Sequence, residues 1–174
     1  MIPRFFGYGS LVNRRTHAYP GAERITVTGW RRAWRHTPLR PVAFLTAVPD
    51  AGARIDGLTA EVPGGDWAAL DLREAAYIRA ALPDGAQVYH IPDGHHGPAT
   101  DAHPILLSYL DVVVQGYLAE FGTDGVARFF ETTDGWNAPI RDDRDDPAYP
   151  RAQTLTAAET ALVDDWLSRV RPRA

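Results

Sequence analysis

Phe6-Gly7-Tyr8-Gly9-Ser10-Leu11, read together with Leu70-Asp71-Leu72-Arg73-Glu74, decides both the fold and the chemistry of this chain. Phe5 and Phe6 are strand formers, and Gly7 and Gly9 permit positive φ, so the first segment predicts a strand running straight into a turn. Such a turn presents the backbone N–H groups of Gly9, Ser10 and Leu11 to one small anionic or carbonyl ligand. In the second segment Leu70 and Trp67 lie four and seven residues before Glu74, which on a helix places all three on one face. A carboxylate on an apolar stripe is a misplaced charge, a buried partner for Arg73, Arg79 or the arginines at 31–35, or a group whose pKa is meant to be raised. An amide cradle with a half-buried carboxylate predicts proton transfer at a carbonyl.

Outward from these segments, alternation over 24–35 predicts a second strand. Residues 42–48 and 55–62 predict two more, separated by a turn at Asp50-Ala51-Gly52. Asp66 is placed to cap a helix beginning at Trp67. The stripe Trp67, Leu70, Tyr77, Ala81 would carry that helix to Leu82, whereas Pro83-Asp84-Gly85 reads as a turn between strands 76–82 and 86–91. Residues 92–103 read as a loop, Pro104 as the first residue of a helix over 105–120, and Asp124 as the cap of a short helix over 125–131. The polar stretch 134–153, with its mixed-charge run 141–146, reads as a surface loop. Thr156 and Glu159 form a capping box for a last helix bearing Leu162, Val163, Trp166, Leu167 and Val170. Many strands and few helices predict an α+β fold. One domain spanning 1–174 is expected, with 129–174 as a C-terminal extension.

Composition removes several classes of mechanism. The chain has no cysteine, so thiol nucleophiles, disulfides and thiolate metal sites are excluded. All 18 basic residues are arginine, which excludes a Schiff-base lysine and a phosphate-binding lysine. A net charge of −4 argues against nucleic acid as a partner. Arg31, Arg32, Arg35 and Arg40 are either a local patch that steers a small acid or a solvated strand face. No apolar run is long enough to span a membrane, and the expected compartment is the cytoplasm. His90, His95, His96 and His103 invite a metal reading, but no pair has helical i, i+4 spacing, and a pH-sensitive lid loop is the preferred reading.

In their order along the chain, the segments resemble the γ-glutamylcyclotransferase family. Its members carry a Tyr-Gly-Ser loop after the first strand and a catalytic glutamate some sixty residues later; here Ser10 and Glu74 are 64 positions apart. Gly29-Trp30-Arg31-Arg32-Ala33-Trp34, Leu45-Thr46-Ala47-Val48-Pro49 and Ile55–Val62 are similar to the intervening strands, so the resemblance covers roughly residues 3–121. Leu11 stands where some members have asparagine, and Ala75 where others have glycine.

The resemblance implies a small closed mixed β-barrel flanked by helices, with a hairpin over 76–91. It implies Glu74 as general base and then acid, Tyr8, Gly9, Ser10 and Leu11 as substrate-binding residues, and Tyr109 lining the pocket. The rival reading of Tyr8–Leu11 is a strand-ending turn with a buried tyrosine, and that of Tyr109 is a half-buried helix aromatic. The Tyr8 hydroxyl is expected to reach a substrate carboxylate, and the walls to include the 92–103 loop and the C-terminal tail. The implied reaction converts a small γ-glutamyl compound to 5-oxoproline and releases an amine or amino acid, with no metal and no cofactor. The alternatives are a γ-glutamyl-removing enzyme of a biosynthetic pathway and a non-catalytic binding module. A monomer or homodimer is expected.

Overall fold

The structure is a computed structural model that describes residues 2–171. Its elements are β1 (Arg4–Gly7), β2 (Glu23–His36), β3 (Ala43–Glu61), α1 (Ala68–Arg73), β4 (Ile78–Ala81), β5 (Gln87–His90), β6 (Gly97–Pro98), β7 (Ile105–Leu106), α2 (Leu107–Glu131), β8 (Thr133–Asp134), β9 (Ile140–Arg141) and α3 (Ala157–Val170).

β2 and β3 pair antiparallel along their whole length, from Glu23↔Thr59 to His36↔Ala43. The predicted turn at Asp50-Ala51-Gly52 is therefore a bulge inside one strand. The register slips between Thr28↔Arg54 and Trp30↔Pro49, where Gly29 at φ +85° bends β2 opposite the extra residues 50–53. Gly52 N–H still closes a local turn on Asp50 Oδ1 at 3.0 Å, but both flanking segments stay on the same partner and cannot have reversed direction.

β1 lies between β3, antiparallel, and β5, parallel. Phe5 and Phe6 point to opposite faces of β1, as successive strand residues must, and both are buried. Phe6 joins the large core under α2 and α3, while Phe5 joins a smaller cluster with Leu11, Leu70 and Tyr89 that seats α1. The hairpin reading of 76–91 holds, with β4 paired to β5.

The α+β class is as expected, but the sheet is open. Its nine strands run in the order β4-β5-β1-β3-β2-β6 with β7, β8 and β9 attached, and no pairing joins β4 to β6 among the described residues. β6 is a two-residue edge containing Pro98, which has no N–H to extend the ladder. It also gives the predicted 92–103 loop a short strand on β2.

Helix α2 begins at Leu107 and not at Pro104, because Ile105 and Leu106 are taken into the sheet against Ala43, Ile140 and Arg141. Its predicted break survives only as a kink at Gly122, φ +68°, within one element. Its first turn is capped from far along the chain. Asp143 Oδ1 accepts from Ser108 N–H at 2.8 Å, and Oδ2 accepts from Ser108 Oγ at 2.6 Å. The stretch 134–153 is thus not a simple surface loop: Trp136, Ala138, Asp143 and Tyr149 are buried. Its charges find internal partners, with Arg144 held by Asp111 of α2 at 2.8 Å and by Asp164 of α3 at 2.8 Å. The capping box at Thr156 and Glu159 is present.

Arg32 overturns the picture of a solvated arginine face. It is fully buried, and all five of its N–H donors have acceptors. Nε donates to Thr133 Oγ1 at 3.0 Å, and Nη1 to Tyr117 Oη at 2.6 Å and Asp56 O at 3.2 Å. Nη2 donates to Phe129 O at 3.4 Å and to Thr132 Oγ1. Arg31, by contrast, makes a half-exposed pair with Asp134 at 2.6 Å. Arg32→Leu removes all five of these hydrogen bonds from the interior and is expected to lower the unfolding free energy by at least about 3 kcal/mol in urea titration. Arg31→Leu is expected to cost under about 1 kcal/mol in the same measurement.

Candidate active site

The cleft forms where β1 ends and α1 stops. After Gly7 the chain turns through Ser10–Val12, closed by Val12 N–H to Gly9 O at 3.0 Å and Asn13 N–H to Ser10 O at 3.1 Å. The amides of Ser10 and Leu11 open this turn and have no acceptor within it. Gly7 and Gly9 are not there for positive φ, which neither adopts. They are there for space: a Cβ on Gly7 would lie 2.5 Å from Leu11 Cβ, and one on Gly9 would lie 2.8 Å from the Tyr109 hydroxyl. Asn13 ties the turn to α2, its Nδ2 donating to Val112 O at 2.9 Å and Gln115 Oε1 at 3.0 Å.

α1 delivers the carboxylate. Asp66 Oδ1 accepts from Ala68 N–H at 3.1 Å, but the helix begins one residue later than expected, and its N-cap residue, Trp67, makes no side-chain cap. Leu70 anchors the helix in the smaller core. The helix ends at Arg73, and Glu74 is its C-terminal cap at φ −100°, ψ 33°, with its N–H bonded to Leu70 O at 2.9 Å. Glu74 therefore reaches the cleft from a helix end and not from the middle of an apolar stripe. Its side chain is 16% exposed and its Oε1 lies 3.3 Å from Arg73 Nε. Burial pushes the Glu74 carboxyl above the ordinary glutamate range, and Arg73, Arg40 and Arg151 pull against that shift without cancelling it.

Two adjoining compartments share Ser10, Glu74, Tyr77 and Tyr109 as their common wall. The first is lined by Phe6–Leu11 with Leu45 and Tyr89. The second adds Arg40, Phe44, Arg73, Tyr149 and Arg151. Every residue expected at the site (Tyr8, Gly9, Ser10, Leu11, Glu74 and Tyr109) thus lines the first compartment.

One individual expectation changes. The Tyr8 hydroxyl is already engaged, accepting from Ala47 N–H at 2.9 Å and donating to Tyr89 O at 2.5 Å, so Tyr8 offers its ring to the cleft while its oxygen holds two strands together. Ser10 Oγ accepts from Arg73 Nη2 at 3.1 Å, which links the turn to the residue beside Glu74. Tyr109 packs edge-on against Trp34, Phe44 and Tyr149, with ring centroids 5.8, 5.3 and 5.0 Å away.

The C-terminal stretch supplies Tyr149 and Arg151, as expected of the tail, whereas the 92–103 loop supplies nothing to either compartment. Among the described residues no group of three or more His, Cys, Asp or Glu is arranged to hold a metal ion. His103 instead stacks on His36 at 4.2 Å. Tyr77, Tyr149 and Arg151 were not singled out as site residues by their sequence context. Tyr77 reads as core, and the other two sit in a stretch whose local signal is that of a loop.

Among the described residues no helix is long and apolar enough to cross a membrane. No family model and no curated protein sequence matches the chain. Solved structures do match. YkqA from Bacillus subtilis superposes with a TM-score of 0.61 at 16% identity, over 80% of this chain and 56% of that one, so the chain spans little more than half of it. A structure described as gamma-glutamyl cyclotransferase superposes with a TM-score of 0.53 at 11% identity, over 95% of this chain and 99% of that one. An uncharacterized protein from Homo sapiens gives 0.53 at 11% identity, over 92% and 97%. These superpositions give the chain a γ-glutamyl cyclotransferase-like fold.

Proposed function

We propose that the protein is a γ-glutamylcyclotransferase-like enzyme that converts a small γ-glutamyl compound to 5-oxoproline and releases the amine or amino acid held in amide linkage. The observation that carries this reading is the position of Glu74, a carboxylate of raised pKa on the wall common to both compartments, lining the same cleft as the open amides of Ser10 and Leu11.

The reaction is intramolecular and balances without a co-reactant. The substrate's α-ammonium gives a proton to Glu74, and the freed nitrogen attacks the γ-carbonyl carbon to close a five-membered ring. The carbonyl oxygen becomes an oxyanion, for which the Gly9–Leu11 amides are the available donors; such donors are worth several kcal/mol in a site shielded from water. Collapse breaks the original C–N bond as the protonated Glu74 gives its proton to the departing amine; Glu74 then takes the second proton from the ring nitrogen and passes it to the released amine, which leaves as an ammonium. Binding the chain with its α-nitrogen folded back on the γ-carbon supplies most of the rest. An ordinary glutamate, with a reference pKa near 4.3, is a weak base for an ammonium; burial of Glu74 narrows the gap.

Glu74→Gln keeps shape and hydrogen bonding but loses the base, and 5-oxoproline release from γ-glutamyl substrates is expected to fall at least about 10²-fold. Near-normal turnover of that variant removes Glu74 from the mechanism. The same shift fixes a sign in stability. A carboxyl whose folded pKa exceeds its unfolded value stabilises the fold below the unfolded pKa and loses that contribution as pH rises through the folded one. Glu74→Gln is therefore expected to match wild type in melting temperature below about pH 4 and to exceed it at neutral pH. In wild type the acid limb of kcat/KM is expected above that of an unperturbed glutamate, displaced in the direction of the Glu74 shift.

A further inference from the structure

The second compartment holds more positive charge than Glu74 balances. Its charged side chains are Arg40, Arg73, Arg151 and Glu74, three guanidiniums against one carboxyl. Arg73 is committed: its Nε faces Glu74 at 3.3 Å, its Nη2 donates to Ser10 Oγ at 3.1 Å, and its Nη1 donates to Thr16 O at 2.9 Å. Arg40 spends one long bond of 3.3 Å on Arg73 O and lies over the Phe44 ring, 5.0 Å from its centroid. Arg151 donates to no side chain or carbonyl of the described residues, although it lines the compartment. Two guanidinium forks thus have donors to spare beside Glu74, and the remaining walls are the aromatic rings of Phe44, Tyr77, Tyr109 and Tyr149.

Planar guanidinium forks in partly dry surroundings suit a planar carboxylate, and aromatic walls suit a short apolar body. On the cyclotransferase reading, the glutamyl half occupies the compartment with the open amides, and the scissile amide lies at the common wall near Glu74. What projects into the arginine compartment is then the departing half. Resting on that reading, we propose that Arg40 and Arg151 form a carboxylate-binding subsite for the leaving group, so that the enzyme takes γ-glutamyl amino acids in preference to γ-glutamyl amines. The placement of Arg151 depends on the stretch after α2: Asp143 caps that helix and Arg144 bridges Asp111 and Asp164, fixing the chain that leads to Tyr149 and Arg151.

The test compares γ-glutamyl-alanine with γ-glutamyl-ethylamine, which differ only in the carboxylate. Calorimetry on the Glu74→Gln variant measures binding apart from turnover, and the alanine compound is expected to bind at least about tenfold more tightly, the scale of one charge-assisted hydrogen bond. Adding Arg151→Gln or Arg40→Gln is expected to narrow that ratio in part, and adding both to bring it within about threefold; the two single replacements serve if the double one does not fold. Equal affinities at the start, an unchanged ratio after the replacements, equal losses on both compounds, or binding of neither overturns the subsite. Release of 5-oxoproline by wild type is scored separately. Selective binding without release leaves the subsite standing and refutes cyclisation, whereas release without selectivity does the reverse.

Discussion

A buried guanidinium ties this protein together. Arg32 sits in β2, and its five donors reach β3 through Asp56 O, α2 through Tyr117 and Phe129, and the start of β8 through Thr132 and Thr133. None of these acceptors is a carboxylate, so the charge is solvated by oriented dipoles and by the rings of Tyr117 and Phe129, 5.1 and 5.0 Å from its central carbon. Burial lowers its pKa, and Tyr117 and Asp56 act against that. Taking such a charge out of water costs several kcal/mol unless every donor is matched, which restricts how the sheet and the long helix can sit against one another. The Tyr117 hydroxyl extends the restriction to the cleft. It accepts from Arg32 and lies 2.9 Å from Tyr8 O and 2.7 Å from Asp56 O, within donating reach of either carbonyl. The turn that opens the cleft is thereby referenced to the centre of the core.

The two sides of the cleft are held by different means. The amide turn is packed: Gly7 and Gly9 admit Leu11 and Tyr109 where any Cβ would intrude, and Asn13 fastens the turn to α2. The glutamate side is held by a helix end and one ion pair, with Leu70 as the anchor underneath. Arg73 joins the sides, because it meets both Glu74 and Ser10. The same guanidinium that keeps the Glu74 carboxyl from rising further therefore also sets its distance from the turn. Desolvation prevails over three nearby arginines, which holds the carboxyl above the ordinary glutamate range.

Much of this was legible in the sequence because it rests on local rules. A strand before a glycine turn, Asp66 ahead of α1, the hairpin about Pro83-Asp84-Gly85 and the capping box at Thr156 each follow from a few neighbouring residues. So does the grouping of Tyr8–Leu11 with Glu74, once a family resemblance supplies the pairing of two distant segments. Local rules failed where a partner lay far along the chain. Turn chemistry at Asp50-Ala51-Gly52 became a bulge because β2 was long enough to pair on both sides of it. Pro104 did not open a helix because Ile105 and Leu106 were needed by the sheet. A charge run that reads as solvated was drawn inward because Asp143 and Arg144 found Ser108, Asp111 and Asp164.

The sequence by itself determined the α+β class, most of the element order and the absence of thiol and lysine chemistry, while the resemblance named six residues that line one cleft. Tertiary structure alone decided that the sheet stays open, that Arg32 is interior, that the Tyr8 hydroxyl is a strut, and that Arg40, Tyr149 and Arg151 wall the second compartment. The physical reason is the range of the forces. Backbone propensity, capping and turn geometry act over three or four residues and are written in adjacent letters. The partner of a buried charge or the wall of a cavity is chosen by packing, and packing is settled only when the whole chain has folded.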